Sequence, residues 1–340
     1  MLFRSALAGY SSAVESLVAG LGASRLAAIV LVGLTIVFVA APGGLGGVMW
    51  SASGAAGVLI AGLGLPLILL VARGVTLPFP LVGDRALWEN ALARMGEWQT
   101  ALDDVTSMST MMVVALALGL GSLAPLLLPA MTARDRRRAQ RAGFSALIWG
   151  GLLAFLLATS VAVAALAFDR GIEGVRPAEL SERLIAASRA GQVKICGANP
   201  ATHAEAQAAC AARPGFSGAL RSGDVAATGS FLAHALPEMR LMGRSFSGLA
   251  TAGLAAAAIA LAAAGFLSFA TALGHDAFYR VRDEGAMTSR RLAITRVALV
   301  AGVLAAGFLV LRFSLDPRTL IGLAIALCAS AIAPLMALTL

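Results

Sequence analysis

The chain has 340 residues, of which 59% are hydrophobic and only 13% are charged, and its mean hydropathy is +0.85. An ordinary soluble domain carries about 25% charged residues, so this composition excludes a large soluble protein, which could not cover its own surface. The net charge of +8 comes almost wholly from arginines between apolar runs, a pattern typical of membrane topology and not of a nucleic-acid-binding face.

Seven apolar runs are long enough, at about 20 residues, to cross the hydrocarbon core of a bilayer as α-helices. They lack the strict alternation of a strand, so the sequence predicts an all-α integral membrane protein built as a multi-helix bundle. Residues 1–22 form a weaker apolar helix that is either buried or partial. The seven runs are residues 26–42, 46–72, 108–131, 144–167, 246–273, 292–312 and 319–339.

The arginines between the runs predict the orientation. Two short loops, residues 132–143 and 274–291, are rich in arginine, and loops of this kind stay in the cytoplasm. The segments 73–107 and 168–245 then lie outside, and the C-terminus is cytoplasmic. We therefore expect a multi-pass protein of a bacterial-type inner membrane, with residues 168–245 facing the periplasm. The arginines of the two loops are Arg134, Arg136, Arg137, Arg138, Arg141, Arg280, Arg282, Arg290 and Arg291.

The same pattern divides the chain into five segments. Residues 1–72 hold the weak first helix and two spans, and residues 73–107 form an external amphipathic segment. Residues 108–167 hold two spans and an arginine-rich loop. Residues 168–245 are a polar external segment, and residues 246–340 hold three spans.

The first external segment contains an amphipathic helix. Apolar side chains recur at spacings of three and four from Leu87 to Leu102, which places them on one helical face. Trp88 and Trp98 on this face suit a membrane interface, where tryptophan is enriched. They suit equally the core of an external cap, and the sequence leaves both alternatives open.

The three cysteines predict a disulfide and no metal centre. Cys196 and Cys210 lie in the external segment, and in an oxidising compartment they would form a disulfide. Cys328 lies in a membrane run, where we expect a small core residue. No pattern of metal ligands or catalytic groups occurs, so we expect neither a metal site nor an enzyme.

A break in the run 108–131 is the candidate solute site. The sequence GLGSLAP, residues 119–125, places two glycines and a proline at mid-membrane, where they weaken the helix. Unwound backbone at that depth lines a cavity or is buried in protein, and in secondary transporters it builds the substrate site. The alternative is a proline kink with close helix packing. The candidate solute-binding residues are Gly119, Gly121, Ser122 and Pro125.

The run 246–273 is extreme in alanine and glycine, and we expect it to serve close helix packing. The predicted helix that contains this run follows Leu-Pro-Glu at residues 236–238 and ends in the sequence ALGHDAFYR, residues 272–280. Together with the glycine-rich run 119–125 and the GGLGG sequence at 43–47, these motifs resemble the sodium/solute symporter family. The resemblance is strongest to its acetate and short-carboxylate branch, where a Ser-His-Asp-Leu-Tyr-like sequence ends the same helix.

The resemblance implies a fold of two inverted five-helix repeats, with substrate and ion sites near the midplane. Residues from 108 onward are similar to the second repeat, and residues 1–72 to the end of the first. The implied function is symport of a small organic solute, first of all a carboxylate, with sodium or another cation. The resemblance also implies an incomplete chain, or one part of a split transporter completed by a second membrane chain. The alternative is a non-transporting scaffold or sensor that keeps the fold.

The implied cation site is degenerate. The family's sodium site uses a carbonyl and hydroxyls of the eighth core helix, and the matching positions here are Ala257, Ala260 and Leu261. These residues offer backbone carbonyls only. We expect no cofactor other than the sodium ion that the resemblance implies. The expected partners are the lipid bilayer, the solute and a second membrane chain.

Overall fold

The computed structural model describes residues 2–21, 23–72, 85–101, 135–189, 191–228, 231–232, 243–279, 287–313 and 317–339. Most of these residues are helical, as the apolar runs predict. The α-helices are α1 (Leu2–Leu21), α2 (Arg25–Ala72), α3 (Arg85–Ala101), α4 (Arg136–Ile172), α5 (Glu182–Arg189), α6 (His203–Ala211), α7 (Gly243–Thr271), α8 (Thr288–Arg312) and α9 (Pro317–Thr339). Two short strands, β1 (Val193–Ile195) and β2 (Val225–Ala227), pair antiparallel.

In the described residues, four helical stretches are long and apolar enough to cross a membrane. They are Arg25–Ala72, Gln140–Ile172, Gly248–Tyr279 and Thr288–Arg312, and α9 adds a shorter apolar stretch, Thr319–Ser330. These stretches confirm a mostly helical, membrane-embedded protein, and the short β1–β2 pair departs from the all-α prediction. The run 108–131 lies outside the described residues.

Helix α2 is broken at Gly44. Its 48 residues would extend about 72 Å if straight, more than twice the ~30 Å hydrocarbon core. Gly44 has φ 52° and ψ −141°, a conformation that glycine reaches without the clash of a Cβ atom. A Cβ atom at Gly47 would lie 2.6 Å from the carbonyl oxygen of Val39, eight residues earlier, so the chain turns sharply here. The predicted runs 26–42 and 46–72 are therefore distinct helical halves joined at the GGLGG sequence.

The chain divides into two compact units. The first comprises Met1–Leu59, Met108–Gly151 and Thr251–Leu340, and the second comprises Ile60–Ser107 and Leu152–Ala250. Helices α2, α4 and α7 each contribute residues to both units. The two units are described separately below.

Helix α1 contributes a buried face to the core of the first unit. It contacts α8 and α9. Its Tyr10 is 1% exposed and packs edge-on against Phe266 of α7, with the ring centroids 6.3 Å apart. The Tyr10 hydroxyl donates a 2.6 Å hydrogen bond to the carbonyl oxygen of Ile29 in α2. Of the two alternatives for residues 1–22, the structure shows the buried helix.

The alanine- and glycine-rich helix α7 packs closely against α1. A Cβ atom at Gly9 would lie 2.8 Å from the backbone nitrogen of Ala262, and one at Gly265 would lie 2.9 Å from the Cα atom of Ala6. Real Cβ atoms do not approach backbone this closely, so glycine is required at both positions. Close packing is thus confirmed as the use of the small residues here.

The second unit contains a small substructure around the β1–β2 pair, called the cap below. Cys196 and Cys210 form the predicted disulfide, with their Cα atoms 5.1 Å apart. Cys196 follows β1, and its backbone N–H donates to the carbonyl oxygen of Asp224. The Asp224 carboxylate pairs with Arg213 at 2.8 Å, which links the segment after α6 to the start of β2. Cys328, in the first unit, is buried and free, as expected.

Helix α3 packs on this cap. It contacts β2, and its Trp98 is 3% exposed, with the ring edge-on to Phe168 at 5.9 Å between centroids. Phe168 packs in turn against Phe231, and Arg94 of α3 pairs with Asp169 at 3.3 Å. Of the two alternatives for the amphipathic helix, these contacts favour the cap core for Trp98.

Candidate functional site

The predicted solute-binding residues Gly119, Gly121, Ser122 and Pro125 lie outside the described residues, so that assignment stays a prediction. The predicted cation positions lie in α7, where Ala260 is buried and Ala257 and Leu261 are partly buried. Regular α-helix covers all three, so their carbonyls serve the helical hydrogen-bond ladder. Within the described residues, no three His, Cys, Asp or Glu side chains are grouped as a metal site. The backbone-only cation site also stays a prediction.

Two neighbouring hydroxyls of α4 form the polar site that the structure adds. Thr159 is 1% exposed and Ser160 is 0% exposed. Their Oγ1 and Oγ atoms are buried and have no hydrogen-bond partner in the described part of the chain. A buried polar group left unpaired costs about 1–3 kcal/mol, so such groups are rare and need an explanation.

Other hydroxyls in the apolar helices of this protein behave differently. Ser268 donates to the carbonyl oxygen of Ala264 at 2.8 Å, and Thr271 donates to that of Leu267 at 2.9 Å. Inside a helix, a serine or threonine hydroxyl usually donates to the backbone carbonyl oxygen one turn earlier. Thr159 and Ser160 do not form this bond, so their oxygens remain available to another group.

The hydroxyl pair lies near the middle of a helical stretch that is long and apolar enough to cross a membrane. In the apolar stretch Gln140–Ile172, the pair stands three to four residues past the middle, about 5 Å along the helix axis. Leu156 and Val163, one turn before and one turn after, pack against the buried side chains of Leu67 and Leu70 in α2. The hydroxyls therefore form a polar layer on a helix face that is otherwise apolar.

The hydroxyl pair has the chemistry of a binding site for a small polar group. Each hydroxyl donates one hydrogen bond and accepts two, so the pair can meet carboxylate oxygens or supply oxygen ligands to a cation. The sequence pattern did not predict this pair, because a serine in a membrane helix usually bonds its own backbone. The available signal was two adjacent hydroxyl residues deep inside a run of apolar ones.

The ALGHDAFYR motif ends in an unusual backbone. Residues Ala272–Tyr279 form a π-helical turn, a rare conformation that is frequent at functional sites. A Cβ atom at Gly274 would collide with Oγ1 of Thr295 in α8, so a larger residue there would require Thr295 to shift. The Arg291 guanidinium lies 4.1 Å from the ring centroid of Tyr279, and that ring lies 5.6 Å from His275. The motif is therefore held against the start of α8 by stacking on arginine.

Comparisons of this chain with protein-family models, with curated proteins and with solved structures find no match.

Proposed function

We propose that this membrane-embedded protein transports a small organic solute across the bilayer, in the manner of a sodium/solute symporter. A short carboxylate is the first candidate solute, coupled to sodium or another cation. The observation that carries the proposal is the unpaired hydroxyl pair, Thr159 and Ser160, at membrane depth.

The energetics of this pair favour a functional explanation. A polar group without a hydrogen-bond partner is expensive inside a membrane helix, where no water can satisfy it. Two hydroxyls without partners destabilise the folded chain, and a bound carboxylate or cation would satisfy them. The π-helical turn at the ALGHDAFYR motif and the break at Gly44 add the irregular backbone that is common in transporter helices.

The disulfide supports the proposed orientation. A Cys196–Cys210 disulfide persists in an oxidising compartment, so the cap is expected on the outer side of the membrane. Residues 168–245 then lie outside, and the arginine-rich loops and the C-terminus lie in the cytoplasm, as the charge pattern predicts.

A second candidate function is a non-transporting scaffold or sensor that keeps the transporter fold. The observation that favours it is the lack of side-chain oxygens at Ala257, Ala260 and Leu261. The small residues beside them, Ala258 and Ala262, are occupied in packing against Gly9 of α1. A protein that had lost its ion site would keep such packing and lose transport.

An uptake assay separates the two functions. The full chain is reconstituted in liposomes, and uptake of radiolabelled acetate is followed under an inward sodium gradient, with a proton gradient as the alternative driving force. We expect gradient-driven accumulation by the wild type, and a loss of at least tenfold in the double variant Thr159→Val/Ser160→Ala.

The matched control is Ser268→Ala, which removes a hydroxyl that already bonds within its own helix. This control should accumulate acetate at the wild-type rate. If the wild type accumulates neither acetate nor other short carboxylates with either gradient, the transport proposal is wrong and the scaffold is favoured. If the double variant accumulates as well as the wild type, the hydroxyl pair is not the site.

A further inference from the structure

One face of α4, in the first unit, combines basic and apolar side chains in a single stripe. Each member has another member three or four residues away, so together they form one continuous face along the helix. They border a shallow, open depression on the surface. We call this set the arginine–aromatic stripe; it consists of Arg137, Gln140, Arg141, Phe144, Ser145, Ile148 and Trp149.

Polarity changes sharply along the stripe. The charged and amide side chains stand in the first turns of the helix, and the apolar ones follow. Phe144 is 67% exposed, and Ile148 and Trp149 are each 54% exposed, although they belong to a membrane-spanning stretch. Described residues of the protein therefore leave much of these three side chains uncovered, as expected for a surface that faces lipid.

The dimensions match one leaflet of a bilayer. Arg137 and Arg141 are separated by about 6 Å along the axis, close to the depth of the headgroup layer. Trp149 lies about 18 Å from Arg137, which reaches well into the hydrocarbon layer. A phospholipid has the same order of groups, with a charged phosphate, then polar esters, then acyl chains.

The positive charge of residues 132–143 favours an anionic lipid. Residues 132–143 contain five arginines and one acidic residue, Asp135. Basic clusters immediately next to a membrane helix attract anionic headgroups, by about fivefold in affinity for each arginine. The N-terminal end of α4 adds the positive end of a helix dipole on the same side.

We propose that the arginine–aromatic stripe binds one anionic phospholipid. Arg137 and Arg141, with Gln140 between them, hold the phosphate, and Ser145 lies next along the axis, level with the ester groups. The acyl chains lie along Phe144, Ile148 and Trp149. This assignment does not depend on the transport proposal, since the stripe shares no residue with the Thr159–Ser160 pair.

Native mass spectrometry of the full chain tests the assignment. The protein is released from nanodiscs of phosphatidylcholine containing a minor fraction of phosphatidylglycerol, and the retained lipids are counted. We expect the wild type to retain one phosphatidylglycerol, enriched more than tenfold over its share of the bilayer. The double variant Arg137→Gln/Arg141→Gln should lose this enrichment, and Arg170→Gln/Arg312→Gln, with the same loss of charge at exposed arginines outside the stripe, should keep it.

A second double variant tests whether binding needs the apolar side chains as well as the two arginines. Phe144→Ser/Ile148→Ser keeps both arginines and should also lose the bound lipid, whereas excess inorganic phosphate should not displace it from the wild type. If Arg137→Gln/Arg141→Gln and Arg170→Gln/Arg312→Gln lose the lipid enrichment equally, the proposal is wrong and the overall positive charge alone attracts the lipid. Retention by Phe144→Ser/Ile148→Ser, or displacement by phosphate, would reduce the site to a phosphate-binding pair of arginines.

Discussion

Replacing Ser160 by alanine should make the protein more stable and, if the site is correct, less active. Ser160 is fully buried and its Oγ atom has no partner among the described residues. An unpaired buried hydroxyl costs about 1–3 kcal/mol, and alanine removes that cost while leaving a space of only one oxygen atom. We expect the free energy of unfolding to rise by about 1 kcal/mol.

Ser268→Ala is the matched comparison, because it removes a buried hydroxyl that does have a partner. Its 2.8 Å hydrogen bond to Ala264 is lost, and such a bond contributes about 0.5–1.5 kcal/mol. The free energy of unfolding should therefore fall by about 1 kcal/mol in this variant. The two serine variants are thus expected to differ in sign, although they make the same chemical change.

The assay is unfolding of the purified full chain in mixed detergent micelles, followed by far-ultraviolet circular dichroism as the denaturing detergent is increased. Acetate uptake into liposomes is measured on the same preparations. A decrease in stability of Ser160→Ala equal to that of Ser268→Ala would refute the reasoning, because it would show that the Ser160 hydroxyl is already paired. A more stable Ser160→Ala with unchanged uptake would leave the energetics intact and refute the functional role.

Three other predictions concern the rest of the chain. Gly121→Leu should abolish acetate uptake while the protein remains in the membrane fraction. Unchanged uptake would show that the predicted solute site is wrong. Gly33→Ala places a methyl group 3.2 Å from the Tyr10 hydroxyl, which is buried and held by its 2.6 Å hydrogen bond to Ile29. Because this hydroxyl cannot move away, the variant should destabilise the chain by about 1–3 kcal/mol. Tyr10→Phe should relieve part of that loss in a double-mutant cycle of unfolding free energies, and simple additivity would contradict it. Cys210→Ser opens a loop whose ends are 14 residues apart and should lower cap stability by about 3 kcal/mol, seen as faster hydrogen exchange in residues 193–227; Cys328→Ala should leave that exchange unchanged.

The sequence predicted those features that depend on composition and local spacing. The two halves of α2 and the break between them follow from apolar length and from the glycines at 43–47. The close packing of α7 follows from its small side chains, because nothing bulky separates it from Gly9. The disulfide follows from two cysteines in one polar segment.

Features that depend on long-range packing were not decided by the sequence. The serines of α1 weaken its apolar pattern, yet Ser5, Ser11 and Ser16 are buried in the structure. A hydropathy pattern cannot tell contact with lipid from contact with protein, so it left α1 undecided. Trp98 was undecided for the same reason, because an interface and a cap core both favour tryptophan. The hydroxyl pair in α4 was missed because its lack of partners is a property of the folded chain alone.

The seam between α1 and α7 has a consequence for biogenesis. Gly9 and Ala262, which meet at backbone distance, are about 250 residues apart in the chain. At a synthesis rate of about 5–20 residues per second, α1 leaves the ribosome roughly 10–50 s before its partner exists. During that interval the seam of α1 that will receive α7, with Ala6 and Gly9, has no partner. Helix α1 is therefore expected to rely on the insertion machinery or on surrounding lipid until α7 has been made.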